Sequence, residues 1–388
     1  MTKILKALKS TDIYILILFV TYIVYYLIDH ITAVLAGFDL ANTSESTLGK
    51  VVTIALFLLC WYKIYNSKTK MQHSLKILLV SWCFIVVVSN FLCIHEFGQI
   101  FNVSFQQMLW PTILAYFYCV APKIPNSLLN AAISILFILC SYFVYQETIF
   151  IREFGQYAEQ LQVNEIYFIV LLFPWVMSFE GRFFGKFKYV LLAAGLYLVF
   201  FSFKRTALLC VVLGIVLYLL VLFKQGRMKG THFALIIAIM IGGYILFDVV
   251  NEQSGGRITE RIESAKTDKG SSRLDIYGKI FNAVNFFSFG DYLLGKGRGS
   301  IGKYTGGYSA HNEYLEVFFS WGLMALTIYI FFLITILKNS KCVKSNNIPI
   351  YFMSLGIFLS MSITSHLVIY PYLFNILVSY WGYSLAKK

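Results

Sequence analysis

Long apolar runs separated by short polar segments make up most of this chain. A membrane-crossing helix needs about 17–25 mostly apolar residues. Runs of this kind predict about twelve spans, at 11–29, 48–65, 75–94, 107–121, 127–147, 164–179, 188–203, 205–223, 231–249, 313–337, 349–365 and 366–386. The pattern therefore predicts an all-α integral membrane protein.

One large polar segment, residues 251–310, interrupts the apolar pattern. It is rich in Gly and Arg and runs directly into the apolar stretch that begins at 313. Within it, Ser272 and Asp275 have the spacing of a capping box, and apolar residues follow at helical spacing. We expect a short amphipathic helix there, lying on the membrane surface. The chain then divides into helices 1–9 at 1–250, a loop at 251–310 and three closing helices at 311–388.

Composition supports a membrane protein and argues against a nucleic-acid partner. The chain is 59% hydrophobic and only 13% charged, whereas about 25% charged residues is usual for soluble domains. The formal net charge of +13 is scattered between apolar runs, although a nucleic-acid-binding protein gathers its basic residues on one folded face. No nucleic acid is expected as a partner.

The distribution of charge predicts the topology. Lys and Arg concentrate in the short cytoplasmic loops of membrane proteins. With the N-terminus inside, the short inner segments hold most of the 32 basic residues, but only Asp12 and Glu180 among the acidic ones. Residues 251–310 are then external and both termini are cytoplasmic. The Lys-rich start precedes no clear cleavage site, so 11–29 is predicted to be a retained helix.

The cysteines and tryptophans favour structural roles. Most of the seven cysteines lie in apolar runs and none forms a Cys-x-x-Cys pair, which predicts buried thiols rather than disulfides. Trp61, Trp110 and Trp381 lie near span ends, where aromatic residues commonly form an interfacial belt. We expect all three at the membrane surface.

Lys204 and Arg205 are basic residues on the predicted external side, in a tight turn between two apolar spans. Charged groups near membrane depth are costly and often functional; the alternative is that both extend to lipid headgroups. Arg205 is the stronger candidate because a guanidinium can bind a phosphate through two hydrogen bonds. Arg273, in the first turn of the predicted surface helix, has the same two interpretations.

His311 ends the polar segment and precedes a membrane helix. A histidine that is largely neutral near pH 7 can accept a proton from a hydroxyl; the alternative is a helix cap or an interfacial residue. Glu313 and Glu316 either face the loop or favour the positive end of the helix. No Asp-x-Asp motif is present, so no metal is expected.

A glycine-rich basic stretch occupies 295–299, with the sequence Gly-Lys-Gly-Arg-Gly. It resembles part of a nucleotide-binding loop but has Gly297 where that loop requires Ser or Thr. A hinge or an anion-contacting loop is the remaining interpretation. No nucleotide or other cofactor is expected.

Several short motifs together resemble the O-antigen ligase and polymerase superfamily of bacterial envelope enzymes, over about residues 165–337. These are the Lys204-Arg205 turn, Ser271-Ser272-Arg273 followed by Tyr277, Gly295-Lys296-Gly297, Ala310-His311-Asn312 with Leu315, and Gly322-Leu323. Tyr277 departs from the family pattern, in which Trp is common, and so weakens the match at Arg273.

The resemblance implies a metal-independent glycosyltransferase of the bacterial cytoplasmic membrane that works on its outer face. Its donor would be a glycan on undecaprenyl diphosphate, and its acceptor another glycan of that kind. The bilayer is the other expected partner, and a chain-length regulator is a candidate one. Arg205, Arg273 and His311 match the catalytic positions of the family. Neighbouring residues are expected to bind substrate: Lys204, Lys296, Arg298, Tyr304, Tyr308, Asn312, Glu313 and Tyr314.

The sequence thus favours a polymerase of O-antigen or capsule repeat units and leaves three alternatives. A ligase would pass the finished glycan to a lipid A core or to a protein. A lipid-linked oligosaccharide flippase would need basic residues along a cavity within the spans. A structural or receptor protein would tolerate the loss of His311 and Arg205 together.

Overall fold

The computed structural model describes residues 10–35, 47–93, 97–154, 163–202, 204–228 and 273–386, with a few single residues between 230 and 259. Within these residues the chain forms α-helices and short 3-10 turns and no β-strand. The helices are α1 (Ser10–Leu35), α2 (Thr47–Tyr65), α3 (His73–Cys93), α4 (Phe97–Cys119), α5 (Asn126–Phe154), α6 (Ile166–Met177), α7 (Phe184–Phe201), α8 (Arg205–Lys224), α9 (Arg273–Val284), α10 (Phe289–Leu294), α11 (Ile301–Thr305), α12 (Glu313–Lys338), α13 (Ile348–Thr364) and α14 (Pro371–Ala386). The all-α prediction is confirmed.

The predicted spans coincide with helices wherever the structure describes them. Eight helices, namely α1, α2, α3, α5, α7, α8, α12 and α13, are long and apolar enough to cross a membrane by length and composition. The chain is therefore a multi-pass membrane protein. The predicted span 231–249 lies almost wholly outside the described residues, as does the boundary placed at residue 250.

Three further predicted spans, α4, α6 and α14, form helices that fall outside those limits of length and hydropathy. They lie at the centre of the bundle: every residue of α14 from Pro371 to Leu385 is buried, and α4 packs along α14. Because these helices contact protein on most sides, they can carry polar residues such as Gln107 and Asn375, both fully buried. A lipid-facing helix could not.

Small residues allow α8 and α13 to pack closely. A Cβ atom added at Gly356 would lie 3.3 Å from the Cα atom of Gly214. Membrane helices commonly approach through small residues because their backbones can then make direct contact. This contact joins the helix that begins at Arg205 to the helix that ends at Thr364.

The tryptophans divide between the membrane surface and the core. Trp61 is 52% exposed, as the interfacial-belt prediction requires. That prediction is wrong for Trp110 and Trp381, which are buried among Trp82, Phe332 and other rings. Their positions near the ends of predicted spans are misleading because burial depends on how a helix packs against its neighbours, which the position within a span does not determine. All seven cysteines lie in the described residues and carry free thiols, as predicted.

The helices alternate in direction, so the segments that connect them lie at two opposite ends of the bundle. We call the end that carries residues 273–310 the loop end. The N-termini of α6, α8, α12 and α14 lie there, together with the C-termini of α1, α7 and α13, as side-chain contacts between these segments show. The Lys- and Arg-rich connections, such as 339–347, lie at the other end, where Arg227 donates to the Ser345 carbonyl.

Residues 273–310 fold onto the bundle as three short helices, α9, α10 and α11. The predicted helix after Arg273 is present, but its buried stripe consists of Ile276, Ile280 and Ala283 and packs on protein. Leu274 and Phe281 lie on a different face and are 65% and 57% exposed. The helix thus has two apolar faces rather than one. Ser272, the proposed cap, lies outside the described residues.

The glycine-rich stretch joins this segment to a kink in α12. Gly322 has φ 74°, a left-handed conformation inside a helix, which interrupts the helical hydrogen bonds before it. The N–H groups of Lys296 and Gly297 donate to the Phe319 and Ser320 carbonyls, each at 2.9 Å. These N–H groups are therefore occupied, and the backbone of this stretch acts as a structural joint rather than an anion-contacting loop.

Candidate functional site

A short connector between α13 and α14, residues 365–370, lies at the centre of the loop end. We call it the loop-end connector. Arg273 Nη2 donates to the Thr364 carbonyl just before it at 3.0 Å, and Arg298 Nη2 donates to the Ile369 carbonyl at 2.9 Å. Gln107 Nε2 donates to the Val368 carbonyl at 2.9 Å. Three separate parts of the chain thus converge on residues 364–370.

Glu313 holds the same connector through hydrogen bonds to its backbone. It is fully buried, and its carboxylate accepts hydrogen bonds from the N–H groups of Leu367 and Val368, the latter at 2.8 Å. The Tyr329 hydroxyl donates to it at 2.8 Å. A buried carboxylate is stable only when it is paired or fully hydrogen-bonded. In this structure Glu313 therefore positions the connector, and the substrate-binding role predicted for it stays a prediction.

His311 lies at the start of α12 in a constrained backbone conformation. Its φ is 50°, the only positive φ at a non-glycine residue in the part of the chain that the structure describes. On one side, the Asn312 side chain caps α12 by accepting from the N–H groups of Tyr314 and Leu315, each at 3.1 Å. On the other, Glu316 accepts from the Ala310 N–H at 2.5 Å. A strained residue persists where its surroundings hold it, and such residues often serve function.

His311 is surrounded by positive charge. Burial lowers its pKa below the ordinary value, and the nearby charges of Arg273 and Lys204 lower it further. Both basic residues would repel the imidazolium, so the neutral imidazole is favoured near pH 7. The structure thus brings together three residues predicted for the site: His311, Arg273 and Lys204.

Arg205 lies beside this group, as the first residue of α8, and its side chain is exposed. Its neighbour Lys204 donates to Asn164 Oδ1 at 2.7 Å and lies 5.9 Å from the centre of the Tyr167 ring. Two buried carboxyl groups lie nearby. Glu147 interacts electrostatically with Lys204, and Glu165 lies 3.8 Å from His30 Nδ1. The basic turn therefore borders a buried acidic region on one side and solvent on the other.

Arg298 and Lys296 have partners of their own. Arg298 joins two elements, because its second nitrogen, Nη1, donates to Gln106 Oε1 at 2.5 Å. Lys296 Nζ forms an ion pair with Asp291 Oδ2 at 2.6 Å. Burial raises the pKa of Asp291, but the hydrogen bonds from Lys296 and Ser288 outweigh it and hold that pKa below its usual range. In this structure both basic side chains hold the loop together.

The three predicted aromatic residues lie in different settings. Tyr304 is 45% exposed and packs edge-on against Phe319, and Tyr308 is 57% exposed. Tyr314 is half-buried against the core, and its hydroxyl lies 3.4 Å from Ser362 Oγ. Tyr304 and Tyr308 therefore offer open ring surface to a ligand, whereas Tyr314 offers less.

Sequence reasoning missed His366. Its ring lies 5.7 Å from that of His311 and 4.9 Å from that of Tyr370, between centroids. The side chain is 4% exposed. Burial lowers its pKa to about 3, and the charges of His311 and Arg298 act in the same direction, so its imidazole is neutral. One signal could have found it: like Lys204, it is a polar residue in a tight turn between two predicted spans.

Comparison with known protein families supports the assignment drawn from the motifs. Residues 190–330 match the family model described as O-Antigen ligase. The match begins in α7 and ends in α12, so it includes Arg205, Arg273 and His311. No curated protein matches the chain.

The match supports a glycan-transferring enzyme of polysaccharide or lipopolysaccharide biosynthesis. It does not separate a polymerase from a ligase. The resemblance of this chain to the O-antigen ligase and polymerase superfamily is thereby confirmed through residues 190–330.

Proposed function

We propose that this protein is a metal-independent glycosyltransferase that polymerises lipid-diphosphate-linked oligosaccharide repeat units. The observation that carries the proposal is the position of His311. Its neutral imidazole lies within the field of Arg273 and Lys204, at the end of the bundle where Arg205 is exposed. A proton acceptor beside several fixed cations suits a reaction that removes a proton and releases an anion.

The proposed reaction joins an acceptor hydroxyl to the anomeric carbon of the donor glycan. The hydroxyl oxygen forms the new bond to carbon and gives its proton to His311. The bond between that carbon and the diphosphate oxygen breaks, and its electron pair leaves on the lipid diphosphate. A base placed in this way typically contributes about 10²–10⁴-fold in rate. Direct displacement inverts the anomeric centre.

Arg205 and Arg273 would stabilise the leaving diphosphate. Its negative charge grows as the bond breaks, and preplaced cationic donors stabilise developing charge without reorganisation. Arg205 is exposed at the start of a lipid-facing helix, where a diphosphate headgroup would lie with its lipid tail alongside the bundle. Arg273 already holds the connector through one nitrogen and would use its remaining donors.

The external location of this site is part of the proposal. The basic residues of the short loops favour the cytoplasm at the opposite end of the bundle, which would place residues 251–310 on the outer face of the cytoplasmic membrane. The exposed Tyr304 and Tyr308 would then stack on sugars. Undecaprenyl diphosphate is the expected lipid carrier.

A ligase is the second candidate, because the matched family model carries that description. Such an enzyme would keep the same donor chemistry and differ only in its acceptor. The acceptor hydroxyl would belong to a lipid A core or to a protein rather than to another lipid-linked repeat.

A surface-glycan gel tests both candidates. It compares the intact strain, a deletion strain, and the deletion carrying either His311→Ala or the control His73→Ala, an exposed histidine at the opposite end of the bundle. If the protein is a polymerase, the deletion strain should lose the long ladder and keep core plus one repeat. His73→Ala should restore the ladder, and His311→Ala should not. A ligase predicts that lipid-linked polymer accumulates with no repeat on the acceptor. Full rescue by His311→Ala would contradict the mechanism.

A further inference from the structure

A catalytic histidine is usually oriented by a carboxylate. In known enzymes a third group holds the base by hydrogen bonding to its second ring nitrogen. The carboxylates next to His311 along the chain, Glu313 and Glu316, accept backbone N–H groups instead. Among the described residues, His366 is a candidate for that role because its ring lies next to that of His311.

His366 has an atom suited to it. Its Nδ1 is buried and has no hydrogen-bond partner in the described part of the molecule. A buried nitrogen without a partner is costly and calls for an explanation. The ring of His311 lies beside that of His366, with 5.7 Å between centroids, so rotation together with a small approach of the two rings would bring facing nitrogens within hydrogen-bond reach.

The surroundings keep His366 in place and uncharged. Tyr370 packs on its ring. Arg273 holds the backbone before it at Thr364, and Glu313 and Arg298 hold the backbone after it at residues 367–369. The charges of Arg273 and Lys204 act on His311, and those of His311 and Arg298 act on His366. Tyr370, which is also titratable, contacts the His366 ring. A neutral imidazole always has one unprotonated nitrogen, which can accept a hydrogen bond.

We propose that His366 is a positioning residue for His311, whose protonated ring donates a hydrogen bond to His366 Nδ1 during glycan transfer. This inference rests on the proposed function. The acceptor hydroxyl gives its proton to one nitrogen of His311, and the N–H of the other nitrogen binds His366. His366 neither gains nor loses a proton. His366 Nδ1 thus accepts a hydrogen bond only when His311 is protonated.

Two substitutions separate this role from simple packing. His366→Phe keeps an aromatic ring against Tyr370 but has no acceptor, whereas His366→Asn loses the ring but places a polar group near the Nδ1 position. We expect His366→Phe to lower kcat by about 10–100-fold, the value of a hydrogen bond to a charged group, with little change in the acceptor KM. His366→Asn should recover most of that loss.

The pH dependence of kcat/KM gives a second readout. Removing an acceptor for the charged ring lowers the pKa of His311, so the acidic limb should move to lower pH in His366→Phe and stay near its original position in His366→Asn. The assay uses the full-length protein in detergent with a lipid-diphosphate-linked oligosaccharide, and thermal melting checks that each variant is folded. His73→Phe is the matched control.

The relative activities of His366→Phe and His366→Asn test the inference. A His366→Phe variant as active as His366→Asn, or an unmoved acidic limb, would overturn the inference while leaving the proposed function intact. Absence of transfer by the unsubstituted protein would overturn both. Should His366→Phe fold poorly, combining His366→Asn with His311→Ala decides, because a residue that acts only through His311 adds no loss when His311 is absent.

Discussion

The charged residues of the loop end form two groups with different surroundings. Glu313, Glu316 and Arg298 are engaged by backbone groups or by buried side chains. His311 and Arg205 are at least partly open to solvent, and His311 is set in a strained backbone. The first group builds the connector and the start of α12, and the proposed mechanism assigns contact with the substrate to the second. Proximity in sequence therefore does not give a common role: Glu313 and His311 are two residues apart.

The largest effect should come from the open group. Arg205→Ala should lower the rate of glycan transfer by about 10²–10³-fold, the usual cost of losing one donor to a developing anion, while the melting temperature changes little. Arg182→Ala, an exposed arginine at the opposite end of the bundle, is the control. Transfer by Arg205→Ala at near-normal rate would remove this residue from the proposed mechanism.

Substitutions in the first group should mainly reduce the stability of the folded protein. Glu313→Ala leaves the N–H groups of Leu367 and Val368 without their acceptor, at a cost of about 1–3 kcal/mol for each unsatisfied buried group. We expect a lower melting temperature in detergent and a loss of activity that follows the loss of folded protein. Glu180→Ala alters an exposed carboxylate and serves as the control. An inactive Glu313→Ala variant with unchanged melting would instead indicate a direct role in catalysis.

Gly322→Ala tests the joint between the loop and α12. The left-handed backbone at this position disfavours any side chain, and an added Cβ atom would overlap the Leu293 carbonyl. Residues held in such conformations cost about 1–3 kcal/mol each, so reduced stability is expected by thermal melting. Gly185→Ala in α7, where only one neighbouring atom lies as close as 4.0 Å, should have little effect. Equal stability of the two variants would show that the joint tolerates movement.

The pH dependence of glycan transfer tests how neighbouring charges affect His311. The pKa of His311 lies below its ordinary value because of burial, Arg273 and Lys204, and only the neutral imidazole can accept a proton. Activity should therefore be retained through neutral pH and fall on the acidic side, below about 6.5. Arg273→Ala removes one repelling charge and should move the acidic limb to higher pH. An unchanged limb would contradict this coupling.

The smallest effect should come from the ion pair inside the loop. Asp291→Asn removes the partner of Lys296, and such partly exposed pairs contribute about 0–1 kcal/mol. Because the pKa of Asp291 is lowered in the folded protein, its contribution is present at neutral pH and is lost as the pH falls through that lowered value. Melting curves at pH 7 and in acid should differ slightly more for the original protein than for Asp291→Asn. A large loss of transfer activity would instead give Lys296 a role at the substrate.

The sequence by itself determined the membrane class, the positions of most long helices and three residues that the structure brings together in the candidate site. Apolar runs report helices because lipid requires every backbone group to be satisfied within the span. Lys204 and His311 stand out because polar residues at the ends of spans are costly and few, and Arg273 stands out at the start of the predicted surface helix. The same argument applies to His366, which lies at the junction of the predicted spans 349–365 and 366–386.

Only the tertiary structure decided which charged side chains are buried or bound to distant backbone groups and which are exposed. Hydrogen bonds such as those between Glu313 and Val368, or between Arg298 and Ile369, join residues distant in the chain, and no local pattern encodes them. Burial is likewise a property of packing: Trp110 and Trp381 have the sequence context of interfacial residues but lie at the centre of the bundle. The chain sets the chemistry that is available, and helix packing determines which part of it faces a substrate.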